Sequence, residues 1–157
     1  EPTPEEVWDS IDDCKKYDEI VFCGYGEPTL RLDTIKEVSR KIKEAGGKIR
    51  LNTNGHGNVI NKRNILPELK GLVDSISISL NADTAEAYDR IVRPLPGLRN
   101  EIYDRVKEFI EEAKKHIPEV QATIVTHQEG VDEEKCEEIS KNEFDVKYRP
   151  RRYNIVG

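Results

Sequence analysis

Two hydrophobic periods alternate along this chain. Short runs place apolar residues at every second position, as a strand does. Longer runs between them repeat apolar residues three and four apart, as one face of a helix does. Thr3-Pro4-Glu5-Glu6 reads as a capping box with proline in the first turn, opening a helix whose Val7, Trp8, Ile11 and Cys14 form a stripe. A short apolar strand, Ile20-Val21-Phe22-Cys23, stops at Gly24. A helix from about Asp33 carries Leu32, Ile35, Val38, Ile42 and Ala45 on one side and ends at Gly46-Gly47. Strands are expected over Lys48–Asn54 and Asp74–Asn81, with a short helix at Pro67–Lys70 between them. Asp83 is expected to cap a helix bearing Ala87, Tyr88, Ile91 and Val92. After the Pro94–Pro96 break, a longer helix aligns Ile102, Val106, Phe109, Ile110 and Ala113. A fourth strand spans Val120–Thr126, Asp132 caps a helix with Cys136 and Ile139, and a fifth strand spans Phe144–Arg149.

Strands separated by helices predict right-handed crossovers and a parallel sheet. Five strands are too few to close an eight-stranded barrel, so an open sheet or incomplete barrel is expected. Strands covered on both faces should read as continuous apolar runs, and these do not. Ile49 and Leu51 oppose Arg50, Asn52 and Asn54; Ile76, Ile78 and Leu80 oppose Ser75, Ser77, Ser79 and Asn81; Val120, Ala122 and Ile124 oppose Gln121 and Thr123; and Lys147 and Arg149 continue the polar side. Leaving such groups dry and unpaired costs about 1–3 kcal/mol each, so this face must meet water or a polar ligand. An antiparallel sheet with one solvated face is the plain alternative, but the intervening helices make it awkward.

Composition narrows the classes. The 157 residues are 36% charged and 36% hydrophobic, with a net charge of −6. That suits one domain and argues against a polyanion binder or a nucleic-acid role. No run approaches the roughly 18 apolar residues of a membrane span. Cys14, Cys23 and Cys136 are far apart in sequence, which suggests reduced thiols in a cytoplasmic protein. Methionine is absent, so Glu1 is read as the start of a processed or truncated chain.

Ligands of parallel α/β folds lie beyond the carboxyl ends of the strands, and three marked turns fall there. They are Gly24-Tyr25-Gly26-Glu27-Pro28, Thr53-Asn54-Gly55 and Ser79-Leu80-Asn81. Taken singly, each passes for an ordinary turn or strand end. In this order, the run Phe22-Cys23-Gly24-Tyr25-Gly26-Glu27-Pro28-Thr29-Leu30 resembles the second-strand motif of the radical S-adenosylmethionine (radical SAM) enzymes. Arg50-Leu51-Asn52-Thr53-Asn54-Gly55 resembles their third strand, and Ser77-Ile78-Ser79-Leu80-Asn81-Ala82 their fourth. The closing Arg151-Arg152-Tyr153-Asn154-Ile155-Val156-Gly157 is similar to the subgroup associated with TatD-like hydrolases.

The resemblance implies an α/β fold: a partial (β/α)6 barrel, here about five parallel strands with helices on the outer face. It makes residues 1–157 a single core-domain fragment lacking the first strand and the cluster loop. It assigns the SAM amino group to Gly24, Gly26 and Glu27, with the family's adjacent glycines here split by Tyr25. Asn54, Ser79 and Asn81 would meet the SAM carboxylate or ribose, and Val125 and Thr126 would flank the adenosyl group. The intact family member uses a [4Fe–4S] cluster, an electron donor and SAM to make a 5′-deoxyadenosyl radical that abstracts hydrogen. Its C-x3-C-x2-C loop is missing here, so this chain is expected to be inactive alone. Cys23 is expected to pack in the core.

Hydrogen abstraction needs no acid or base, so no catalytic residue is nominated. His56 and His127 read as loop or surface histidines, and His116 as a helix-end cation. Arg149, Arg151 and Arg152 are either a solvated tail or a seat for an anionic substrate group, with Pro150 weakening a shared face. Two other functions stay open: an enzyme of phosphorylated metabolites with Gly24–Gly26 as its phosphate turn, and a noncatalytic module that associates through the exposed strand edge Ile20–Cys23.

Overall fold

A computed structural model describes residues 2–24, 26–94 and 96–152. Strands β1 (Ile20–Phe22), β2 (Ile49–Thr53), β3 (Ser75–Ser79), β4 (Glu119–Val125) and β5 (Lys147–Arg151) form one sheet in sequence order. Every neighbouring pair is parallel. Helices α1 (Pro4–Asp9), α2 (Leu32–Glu44), α3 (Gly57–Asn61), α4 (Leu66–Leu69), α5 (Ala85–Val92), α6 (Ile102–His116) and α7 (Glu133–Glu138) fill the connections. The open parallel sheet meets the expectation of a partial barrel.

The alternation read from sequence sets the layers. Ile49, Leu51, Ile76, Ile78, Ala122 and Ile124 are fully buried. Most of them join a core with Ile35, Val38 and Ile42 of α2 and Val106, Phe109, Ile110 and Ala113 of α6. Each of the Val, Leu, Ile and Phe side chains contributes about 1.5–3 kcal/mol by leaving water. Asp74 ties the strand starts together: its carboxylate accepts from the Ile49 N–H at 2.8 Å and from Lys43 Nζ at 2.7 Å.

Several boundaries differ from expectation. The fifth strand begins at Lys147, not Phe144. Residues Ile139–Glu143 form a π turn, Phe144 N–H closes it on the Ile139 carbonyl at 3.1 Å, and Val146 N–H bonds the Ser140 carbonyl at 3.0 Å. The apolar Phe144 and Val146 are buried as a lead-in to the strand rather than as part of it. Asp83 is not the cap of α5. Thr84 is, its hydroxyl accepting from Ala87 N–H at 3.2 Å, because it is Thr84 that adopts the extended cap conformation. Cys14 sits not in α1 but in a separate 3-10 turn, Cys14–Lys16. Helix α3 and the 3-10 turn Pro28–Arg31 were not anticipated.

Candidate functional site

The polar face is built in rows across the sheet. Asn52 pairs with Ser77, Ser77 with Gln121, and Gln121 with Lys147. One row nearer the carboxyl ends come Ser79, Thr123 and Arg149. Gln121 Nε2 donates to Ser77 Oγ, and Thr123 Oγ1 to the Ile78 carbonyl at 3.5 Å. Arg50, Asn52, Ser75, Ser79 and Gln121 remain half-buried. The face is thus neither bulk surface nor packed core.

Toward the carboxyl ends of the strands hydrogen-bonding capacity is left unmet, at Asn52 and Asn81 on the polar parity and at Thr126, which follows β4 on the parity of Ile124. Asn52 Oδ1, Asn81 Oδ1 and Thr126 Oγ1 are buried with no partner among the described residues. Asn52 lies in β2, Asn81 just after β3 and Thr126 just after β4. Asn81 adopts a φ of 60°, which asparagine tolerates better than most residues. Its N–H reaches the Thr123 carbonyl at 3.3 Å. Thr126 N–H is held by the Arg151 carbonyl at 2.8 Å, and Val125 is half-buried beside it.

Glu27 is a structural node. Its Oε1 accepts from Thr29 N–H at 3.1 Å, Thr29 Oγ1 at 2.6 Å and Thr53 Oγ1 at 2.7 Å, and its Oε2 accepts from Asn54 N–H at 2.8 Å. The carboxylate therefore caps the Pro28–Arg31 turn and locks it to the exit of β2. A carboxylate offers about four acceptor positions, so capacity remains on Oε2 alone. Asn54 Oδ1 accepts from His56 N–H at 2.8 Å, which leaves its amide NH2 for a ligand. Gly24 and Gly26 face open space, since a methyl group added at either would meet nothing within 4 Å. They and Glu27 border one end of an apolar groove of about 470 Å³ along β1, lined also by Val7, Ile11 and Phe22. Tyr25, between the two glycines, lies outside the described residues.

The eight nominated residues therefore divide into two groups. Gly24, Gly26, Glu27 and Asn54 meet around the β1 and β2 exits. Ser79, Asn81, Val125 and Thr126 cluster at the exits of β3 and β4. Asn52 belongs to the polar face read from the sequence but is not among the eight. Its even parity with Arg50 and its position near the strand end were the available signal.

Other expectations need correction. Cys23 is exposed, not core, because it follows β1 on the parity of Val21 and Arg50. His56 is half-buried rather than a free loop histidine: its Nε2 lies 2.7 Å from the Tyr88 hydroxyl, and burial lowers its pKa. His127 is exposed, and His116 lies near Glu112 at 3.9 Å at the end of α6. Arg149 and Arg151 share the polar face despite Pro150.

These features fit SAM in kind. Asn52 and Asn81 offer unmatched acceptors to its hydroxyl or amino hydrogens, and the glycine turn leaves open space beside Glu27. They do not fit a [4Fe–4S] cluster. Among the described residues no group of His, Cys, Asp and Glu could hold a metal. Cys14 and Cys136 are buried apart from exposed Cys23, and burial pushes the Cys136 thiol up to about 12. No helix among the described residues is long and apolar enough to cross a membrane.

Comparison with known proteins agrees with this geometry. The radical SAM superfamily pattern matches residues 1–141. A Methanocaldococcus jannaschii protein, provisionally named a glycyl-radical enzyme activating enzyme, is 32% identical over 140 residues, covering 88% of this chain and 55% of that protein. The chain thus spans about half the length of this relative. No solved structure matches. With its parallel sheet and the turns at the strand ends, the chain belongs to the radical SAM superfamily.

Proposed function

We propose that this chain supplies the SAM-binding face of a radical SAM enzyme that acts on a protein. The observation carrying this reading is the set of buried oxygens with no partner among the described residues, Asn52 Oδ1 near the end of β2, Asn81 Oδ1 after β3 and Thr126 Oγ1 after β4. Unmet buried acceptors are costly, and a nucleoside with hydroxyl and amino hydrogens would satisfy them. Gly24, Gly26 and the free position on Glu27 Oε2 receive the amino end, Asn54 and Ser79 the carboxylate or ribose, and Val125 the adenosyl group. SAM, when bound and given one electron from an external reductant, would split into methionine and the hydrogen-abstracting radical; the chain's own residues bind and orient it. With no cluster-competent thiols among its described residues, the chain alone is read as a binder without turnover.

The relative's name points to a glycyl-radical enzyme as substrate, hence a protein, together with an electron donor. The TatD-associated subgroup is a second reading, resting on the closing run; residues 153–157 of that run lie outside the described residues.

Thermal shift and calorimetry test the binding. SAM is expected to raise the melting temperature, and Asn52→Ala to weaken SAM about tenfold, the loss of one hydrogen bond. Because that oxygen is unpartnered in the free protein, the variant should otherwise be as stable as the parent. A shift produced by inorganic phosphate or sugar phosphates but not by SAM would replace this reading with the phosphorylated-metabolite enzyme. No shift with any of these ligands would favour the noncatalytic module.

A further inference from the structure

The cations of the polar face differ by position. At the amino ends of the strands each has a carboxylate: Arg50 Nη2 lies 2.9 Å from Glu19 Oε1, and Lys147 Nζ lies 3.5 Å from Glu119 Oε2. At the carboxyl end of β5, Arg149 and Arg151 have none among the described residues. Both are exposed, and neither side chain has a hydrogen-bond or ion-pair partner among the described residues. This occurs in a chain with 31 acidic residues against 25 basic ones, where unpaired arginines are not forced by composition.

Strand geometry places the two side by side. Arg149 is in register with Thr123 and Arg151 with Val125, both on the polar face. Tyr148, which precedes Arg149, turns the other way, its hydroxyl donating to the Glu133 carbonyl at 3.3 Å. The Arg151 carbonyl faces β4, where it accepts from Thr126 N–H at 2.8 Å. Alternation then points Pro150 outward, where a missing N–H breaks no ladder bond and discourages pairing with a further strand.

We propose that Arg149 and Arg151 anchor an acidic extended segment of the protein substrate through its side chains. The inference rests on the reading above only for the substrate being a protein. Two residues along a strand span about 6.6 Å, the same step that separates alternate side chains of an extended peptide. Carboxylates at alternate positions of such a segment would meet the two guanidinium groups, each able to bind both oxygens of one carboxylate. The SAM carboxylate is a poor occupant. Assigned to Asn54 and Ser79 at the exits of β2 and β3, it lies two to three strand spacings from β5, about 10–14 Å along the sheet.

The probes are the blocked peptide Glu-Gly-Glu, its Gln-Gly-Gln counterpart, inorganic phosphate and SAM. The readout is the side-chain Nε–Hε signal of each arginine in the labelled chain. The acidic peptide is expected to shift Arg149 and Arg151 but not Arg105, which is already paired with Glu108 at 2.9 Å. The glutamine peptide should shift neither. Arg149→Gln with Arg151→Gln should weaken peptide binding at least tenfold and leave SAM affinity unchanged. Equal shifts at Arg93, Arg99 and Arg152 would overturn the proposal as mere charge screening. Phosphate binding more tightly than the peptide would reassign the pair to a small anion, and SAM displacing the peptide from the pair would reassign it to the cofactor. Failure of SAM to bind at all would remove the SAM reading but leave the peptide result standing.

Discussion

Glu27 accepts four hydrogen bonds from its own chain. In the sequence it looked like a carboxylate free to meet an ammonium group. In the fold it joins Thr29, Thr53 and Asn54, and it is only 9% exposed. Glu27→Ala would strand two hydroxyls and two N–H groups and is expected to cost about 2–4 kcal/mol in urea unfolding. A loss of SAM binding in that variant would therefore say little about contact. Glu27→Gln is the cleaner probe, because its amide oxygen can still accept from the threonines while the charge is gone. It should cost about 1 kcal/mol of stability and still weaken SAM at least tenfold by calorimetry if Oε2 meets the ammonium group. Unchanged SAM affinity in the glutamine variant would make Glu27 a brace alone.

Among the elements, the strands were the most legible because period 2 is hard to mimic. Ser75 to Ser79 alternates polar and apolar throughout, and β3 occupies those residues. The fifth strand misled because Phe144 and Val146 alternate in the same way while belonging to the exit of a π turn. Burial produces that pattern whether or not a ladder exists. Helix starts were legible only to within a residue. Asp83 and Thr84 are both plausible caps by type, and backbone conformation chose Thr84. Asp83 instead accepts from the Asp132 N–H at 3.1 Å, linking the β3 exit to the start of α7. Thr84→Ala is accordingly expected to lower stability by about 1 kcal/mol in thermal unfolding, with Asp83→Ala well below that. The reverse order would restore the sequence-based assignment.

Across the whole molecule, a buried strut joins the β2 exit to α5. Tyr88 is fully buried, which raises its pKa and keeps its proton, and its hydroxyl shares a 2.7 Å hydrogen bond with His56 Nε2. Burial is the main cause that lowers the His56 pKa, with nearby Glu27 opposing it. The native state therefore takes up the His56 proton less readily than the unfolded chain. Its contribution is complete above the unfolded value of about 6.5 and is lost as pH falls through the lower native value. Urea midpoints should fall between pH 7.5 and 5. His56→Gln should flatten part of that dependence, and an undiminished slope would show that other groups cause it.

The sequence alone determined the strands, their sidedness and the polar turns at their ends, since these follow from local periodicity and residue type. It could not determine which polar atoms the protein itself satisfies. Tertiary structure consumed most of Glu27, paired His56 with Tyr88, left Asn52, Asn81 and Thr126 with unmatched oxygens, and put Cys23 in the open. Each outcome depends on which side chain from a distant strand or helix arrives within about 3 Å, a distance that no single segment encodes.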